Sequence, residues 1–383
     1  MTYYLLPKNN ILLSDYIKCI ISDTTPTPVI SHSLSHYLCD IKNKLYETPN
    51  KWDTYKKYTN PYEFIHSNIP QKNKCICNYK PLSRSYFKMI EIIHTFDLLK
   101  DINNLNSFHL AEGPGGFIEA IANLRKCPTD KYIGMTLINN NDNNIPGWRK
   151  SNKFLKTNKN VYIESGIDGT GNILSLANFD NCKRLYESSM DIITADGGFD
   201  FSIDYNNQEN NIARLLFAQI CYALILQKKG GCFVLKMFDS FMQHTIDALS
   251  ILSSFYEYVY IMKPNTSRYA NSEKYIICKN FLYYSNVTYY TTLYNAFKEM
   301  VESPSNTYIC RFLNCPIANY YISRIEEYNA IFGQQQIENI NYTLNLIDQE
   351  CKQNNLDKLI KTNIIKSIQW CIKYNIPYNT IND

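Results

Sequence analysis

The stretch "FHLAEGPGGFIEAI" (Phe108–Ile121) joins two different patterns across one turn. An apolar run ends at the acid Glu112; Gly113, Pro114, Gly115 and Gly116 follow; then an amphipathic run begins at Phe117. Glycines allow a tight strand-to-helix turn and let a ligand approach the backbone closely. The helix after such a turn points its unpaired N–H groups at whatever lies there, an arrangement used for nucleotide-type cofactors. A glycine-rich turn alone is equally compatible with an ordinary strand-to-helix connection, so the surrounding chain must decide.

Outward from that turn, strands and helices alternate. The spacing of apolar residues predicts strands at Ser107–Ala111, Lys131–Leu137, Val161–Ile163, Met190–Ala195, Gly231–Met237, Tyr258–Met262 and Tyr275–Cys278. Helical patterns fall between several of them, including "IARLLFAQICYALILQ", and "SYFKMIEIIHTFDLL" leads into the first. Such alternation implies an α/β fold with a Rossmann-like, mostly parallel seven-stranded sheet covered on both faces. The last two strands lack an intervening helix, so an antiparallel edge strand is expected. Residues 1–80 read as an N-terminal extension with helices, 81–285 as the α/β domain, and 286–383 as a helical, polar C-terminal segment.

Composition excludes some function classes. The chain has 383 residues, of which 45% are hydrophobic, enough for a large core, and a net charge of only +4. A polyanion would therefore meet a local patch rather than a global field. The 13 cysteines are odd in number and unpaired in spacing, which fits reduced thiols in a cytosol-like compartment. No signal-like N-terminus or membrane-length apolar run is visible. The Asn, Ile, Lys and Tyr bias suits an AT-rich genome.

In open α/β sheets, ligands bind beyond the carboxyl ends of the strands. The ionisable residues expected there are Glu112, Asp168 in "ESGIDGTGN", Asp196 in "DIITADGGFD", Lys236 in "GGCFVLKMFD" and Glu273 in "SEKYIIC", with Lys88 on the helix entering the sheet. Each has an ordinary alternative: an acid before Gly-Gly is often a turn former, and an edge lysine can snorkel. Lys236 is the least ordinary, because charges are rarely placed inside apolar strands without a partner.

These segments carry a resemblance. In order, "NPYEFI", "SRSYFKMIEI", "AEGPGGF", "GMTLI", "GIDGTGN", "TADGGFD", "GGCFVLKMFDSF" and "KPNTSRYANSEKY" resemble the FtsJ-like RNA ribose 2′-O-methyltransferases, and among them the mRNA cap enzymes that modify the first transcribed nucleotide. The resemblance implies a Lys-Asp-Lys-Glu tetrad on Lys88, Asp196, Lys236 and Glu273, and S-adenosyl-L-methionine as methyl donor. It also implies cofactor contacts from Ser83, Glu112, Gly113, Pro114, Gly115, Gly116, Phe117, Ile167 and Asp168. An acid for the cofactor ribose is expected after the second strand, but "MTLINN" offers none. An insertion containing Cys75 and Cys77 separates "NPYEFI" from Lys88, and beyond Phe281 only "WCIKY" faintly echoes the family.

The chemistry suits those residue types. A lysine of ordinary pKa, about 10.4, is charged and a poor base at neutral pH. Partial burial and a second nearby lysine would lower it. Lys236 is therefore expected as general base, with Lys88 as electrostatic partner and the two acids as orienters; the scheme requires no metal. Substrate RNA is expected to touch "YNNQ" (Tyr205–Gln208, hence Asn206, Asn207 and Gln208), Glu273, and Lys56 with Lys57. His32, His36 and Cys39, joined by Cys75 or Cys77, are a remote alternative as a zinc site, since their spacing matches no standard finger. The expected partner is capped mRNA, with contacts to other capping or transcription factors conceivable and no membrane; the expected location is viral or host cytoplasm, with the nucleus as alternative. The competing functions are methylation of internal ribosomal or transfer RNA sites, and a non-catalytic RNA-binding scaffold.

Overall fold

Strands that are buried along nearly their whole length must sit inside a sheet covered on both faces. This holds for β3 (Asn106–Leu110), β4 (Lys131–Met135) and β6 (Met190–Ala195). The protein is described by a computed structural model covering residues 3–380 other than 48, 140, 143–144, 199–205 and 349–352. Its remaining strands are β1 (Tyr3–Leu5), β2 (Ile17–Ser22), β5 (Val161–Ile163), β7 (Gln227–Met237), β8 (Tyr256–Met262), β9 (Lys274–Phe281) and β10 (Tyr308–Leu313). The main sheet has eight strands in the order β1-β8-β9-β7-β6-β3-β4-β5. From β5 through β7 all pairings are parallel; β9 runs antiparallel to both β7 and β8.

Two expectations are corrected here. The sheet gains an eighth strand, because β1 pairs antiparallel with β8 some 250 residues away, so the antiparallel edge belongs to the N-terminal segment. The antiparallel strand β9 is interior instead; its first five residues are all buried, as flanking strands on both sides require. A second, two-stranded sheet joins β2 of the N-terminal segment to β10 of the C-terminal segment, which is helical around that strand.

Helices cover both faces. One face carries Gln208–Leu226, 19 residues buried on nearly all sides, and Gln243–Phe255. A helix apolar all round belongs in such a place. The other face carries Ser85–Phe96 and Gly116–Arg125. The C-terminal helix Gln353–Lys373 joins this second core, burying Trp370 and Cys371 with Phe87 and Ile90; the Phe87 and Trp370 rings meet edge-on at 5.7 Å. Among the described residues, no helix is long and apolar enough to cross a membrane.

The small sheet is tied down by one buried acid. Asp247 is fully buried on Gln243–Phe255 and accepts from Arg311 (3.0 and 3.1 Å) and from the backbone N–H groups of Phe312 and Leu313 (3.0 and 3.2 Å). Removing one partner of a buried pair typically costs about 3–5 kcal/mol. Asp247→Ala is expected to lose stability at the lower end of that range, since Arg311 stays partly exposed; urea unfolding checks it.

Candidate active site

The parallel strands run outward from β3 to β4 and β5, and the chain then returns to place β6 on the other side of β3. That reversal opens a crevice at the strands' carboxyl ends, where α/β sheets bind ligands. A cavity of about 560 Å³ lies there, lined by Glu112 after β3, Thr136 and Leu137 after β4, Asp196 after β6 and Lys236 on β7. Lys88 and Ser83 close it from the side of the entering helix.

β9 brings in the last ionic group. Because it runs antiparallel, its beginning lies beside the end of β7, with Lys236 opposite Tyr275 in the register. Glu273, just before β9, therefore reaches the same end of the sheet. Its Oε1 lies 2.6 Å from Lys88 Nζ and accepts a 2.8 Å hydrogen bond from Ser267 Oγ. Lys236 Nζ donates to the Asp196 backbone carbonyl at 2.6 Å and lies 3.3 Å from the Asp196 carboxylate. Tyr275 couples the pairs: its hydroxyl donates to Asp196 at 2.9 Å, and Lys88 Nζ sits 5.8 Å from its ring centre. The side chains of all four charged residues are 14% exposed or less.

Lys88 and Glu273 are shifted by their surroundings. Desolvation pushes the Lys88 ammonium down from its ordinary value, helped by Arg84 one turn earlier and opposed by Glu273. Glu273 would be raised by burial, but Lys88 and Lys236 outweigh it and hold the carboxyl well below the usual range. Room for Lys236 is left by Gly198, where a Cβ would come within 2.9 Å of Nζ.

The turn at Glu112 is built from close contacts. Gly115 has φ +100°, and a Cβ there would meet Trp148 at 3.0 Å. At Gly113 a Cβ would meet the Gly147 carbonyl at 2.6 Å. Glu112 is buried and turned inward: it accepts from the Ile118 N–H at 3.0 Å, inside the first turn of the following helix, and from Thr194 at 3.1 Å. The Gly113–Pro114 peptide is cis.

The residues singled out from sequence divide accordingly. Lys88, Asp196, Lys236, Ser83, Glu112, Gly113 and Pro114 line the cavity, and Glu273 reaches it through Lys88. Gly115 and Gly116 shape the turn, and Phe117 is fully buried in the core, its ring 5.9 Å from that of Tyr275. Ile167 and Asp168 are not brought to the wall. Ile167 is 71% exposed, and the Asp168 carboxylate is taken up within its own loop by Thr170 (2.7 and 2.9 Å) and Asn178 (3.0 Å). That loop instead presents Gly171 through Leu174 to the cavity. Arg84 and Asn172 also line it; Arg84 was signalled only by its place one turn before Lys88.

Tyr205 lies outside the described residues. Asn206 and Asn207 line a second recess of about 620 Å³ with Lys42, Asp239 and Glu209. Gln208 accepts from Ser272, the neighbour of Glu273, at 2.7 Å, and shares a smaller recess of about 170 Å³ with Lys56, Trp52 and Arg268. Lys56 pairs with Asp53, and Lys57 is exposed. His32, His36 and Cys39 border the 620 Å³ recess, whereas Cys75 and Cys77 donate to the backbone carbonyls of Cys77 and Tyr79. Among the described residues, no three His, Cys, Asp or Glu side chains are grouped to hold a metal.

Two buried lysine–carboxylate pairs meet at the switch point of such a sheet, and comparison identifies the class: the chain belongs to the FtsJ-like methyltransferase family, whose model matches residues 81–281. It is 31% identical over 291 residues to cap-specific mRNA (nucleoside-2′-O-)-methyltransferase 2 of Danio rerio, covering 72% of this chain and 37% of that one. It is 37% identical over 179 residues to cap-specific mRNA (nucleoside-2′-O-)-methyltransferase 1 of Trypanosoma cruzi, covering 44% and 46%. The chain thus spans less than half the length of these relatives.

The Lys88–Glu273 pair sets an acid limit on stability. A carboxyl held below its unfolded value of 4.5 stabilises the fold fully above that pH, and the contribution disappears as pH falls toward the folded value. Wild-type urea midpoints are expected to drop below about pH 4.5 more steeply than those of Glu273→Gln, which is already weakened at neutral pH by an uncompensated Lys88. Parallel curves for the two proteins would show that the pair contributes nothing.

Proposed function

We propose that the chain transfers a methyl group to the ribose 2′-oxygen of the first transcribed nucleotide of capped mRNA, with Lys236 as general base. The observation that carries this reading is the convergence of two buried lysine–carboxylate pairs on one cavity at the sheet's switch point. A scaffold has no use for such a costly cluster. The names of the relatives, all cap-specific, favour capped mRNA over internal RNA sites.

The cavity fits S-adenosylmethionine in size and lining: about 560 Å³, with apolar wall at Leu137, Pro146 and Leu174 and ionic groups at one end. Ser83, Glu112, Gly113 and Pro114 would hold it, with the 171–174 loop opposite. When bound, it supplies a methyl group already activated on a sulfonium. The protein must then align the 2′-hydroxyl and remove its proton. Lys236 Nζ takes that proton, and the Asp196 carbonyl and carboxylate fix where Nζ points. Lys88, held by Glu273, adds positive charge beside the oxygen as it becomes an alkoxide. RNA would pass over Gln208 and Lys56, and the recess at Asn206 and Asn207 offers space for the 5′ end.

Two outcomes test this. Tritium transfer should require a 5′ cap, stop when the first ribose is already methylated, and weaken steeply with salt as phosphate contacts release counterions. Equal rates on uncapped RNA would move the assignment to internal sites, and transfer to a substrate with a pre-methylated first ribose would move it to the second nucleotide. Separately, Lys236→Ala should lose about two to four orders of magnitude in single-turnover rate while still binding cofactor and RNA. Lys236→Arg should not rescue, because arginine keeps its proton. A Lys236→Ala rate within a few-fold of wild type would make Lys236 structural; full activity in Lys236→Arg would make it an electrostatic clamp.

A further inference from the structure

Glu91 is completely buried on the same helix as Lys88, one turn further along, and does not line the cavity. Its carboxylate accepts three N–H groups. Oε2 takes the Asn265 backbone N–H at 2.8 Å; Oε1 takes the Thr266 backbone N–H at 2.8 Å and the Trp370 indole N–H at 3.0 Å. Asn265 and Thr266 belong to the loop between β8 and β9, the loop that ends in Glu273. Immediately after Thr266, Ser267 donates to the Glu273 carboxylate at 2.8 Å. At the loop's base, Lys263 donates to the carbonyls of Asn271 (2.6 Å) and Glu273 (2.8 Å).

Both partners of the Lys88–Glu273 pair are thereby referenced to one helix. Lys88 projects from it directly; Glu273 is located through a loop that Glu91 grips from the same helix. Trp370, on the C-terminal helix and outside the 81–281 family match, supplies the third donor. A carboxylate facing only donors is fixed in orientation, and each lost donor frees it to rotate.

We propose that Glu91 and Trp370 are positioning residues for the tetrad: they set the distance between Lys88 and Glu273 through the 264–267 loop, and so make the C-terminal helix part of the catalytic apparatus. This rests on the transfer reading above. The effect acts on alignment, where displacements near 1 Å cost up to about 100-fold.

The test uses the full chain with Trp370→Phe, which keeps an aromatic ring against Phe87 and Tyr374 but removes the N–H. Should that variant melt, Glu91→Gln replaces it, leaving the Trp370 packing in place while turning an amide toward donors. Hydrogen–deuterium exchange over 264–273 and steady-state kinetics on capped RNA are measured together. Exchange is expected to accelerate in that loop and not in β3, β4 or β6. The turnover number should fall about 10- to 100-fold, with KM for cofactor and RNA within about twofold of wild type. Unchanged loop exchange overturns the proposal, as does a loosened loop with an unchanged turnover number, because a merely structural contact would give that result. A wild-type protein inactive on capped RNA would sink the transfer reading instead, and the exchange measurement would still decide whether Trp370 and Glu91 hold the loop.

Discussion

Two charges, Lys88 and Glu273, sit 2.6 Å apart with almost no access to water. Taking them out of solvent is costly, and their attraction offsets that cost only when geometry is tight and the remaining lone pairs are satisfied. Much of the surrounding architecture follows from this demand. An antiparallel β9 is the only direction that starts a strand at the end where parallel strands finish, so it delivers Glu273 beside Asp196 and Lys236. Its interior position, flanked by β7 and β8, keeps that delivery rigid. Tyr275, two residues on and so on the same face of the strand, then joins one ion pair to the other.

The alternate face of β9 does different work. Lys274 lies between Glu273 and Tyr275 and points the other way, toward Asp239 at 3.6 Å. Asp239 also binds Lys42 at 3.0 Å, from the N-terminal helix His32–Asn43. Burial would raise Asp239, but the two lysines hold it low. One short segment of chain thus anchors Lys88 on one side and the N-terminal segment on the other. The recesses at Asn206 and at Lys56 share Lys42, so they are registered to the cavity through the same strand end.

How much of this could be read from sequence depended on whether the governing contact was local. β5 and β6 fall on the expected residues, and β3 and β4 differ only at their ends; in β3, β4 and β6 continuous burial leaves a nearly continuous apolar run. Lys88, Asp196, Lys236 and Glu273, expected from the order of the motifs along the chain, are brought together as two lysine–carboxylate pairs. What sequence could not reveal was pairing at long range. β1 is three residues long and has no periodicity to detect; it exists because β8 offers an edge. β10 likewise needs β2. Asp168 looked like a binding acid, but its neighbours Thr170 and Asn178 satisfy it within the loop first. The absence of an acid after β4 was visible at once, and in the structure Thr136 and Leu137 occupy that part of the wall.

The family match covers residues 81–281, yet several groups that hold the loop carrying Glu273 come from outside it. From the N-terminal side, Glu63 binds Arg268 in a two-bond fork (2.6 and 3.0 Å), and Asn60 accepts from the Tyr269 N–H at 3.0 Å. Burial would raise the Glu63 carboxyl; the Arg268 guanidinium brings it down to about 2. From the C-terminal side, Gln336 donates to the Ala270 carbonyl at 3.0 Å, and Trp370 reaches Glu91. A loop of eleven residues between Met262 and Lys274 carries little apolar surface of its own and cannot be fixed by burial alone. It is fixed by polar bonds to elements that flank the shared core. The cavity and the less recognisable terminal segments are therefore not separable layers: the second fill donors and acceptors of the loop that carries Glu273.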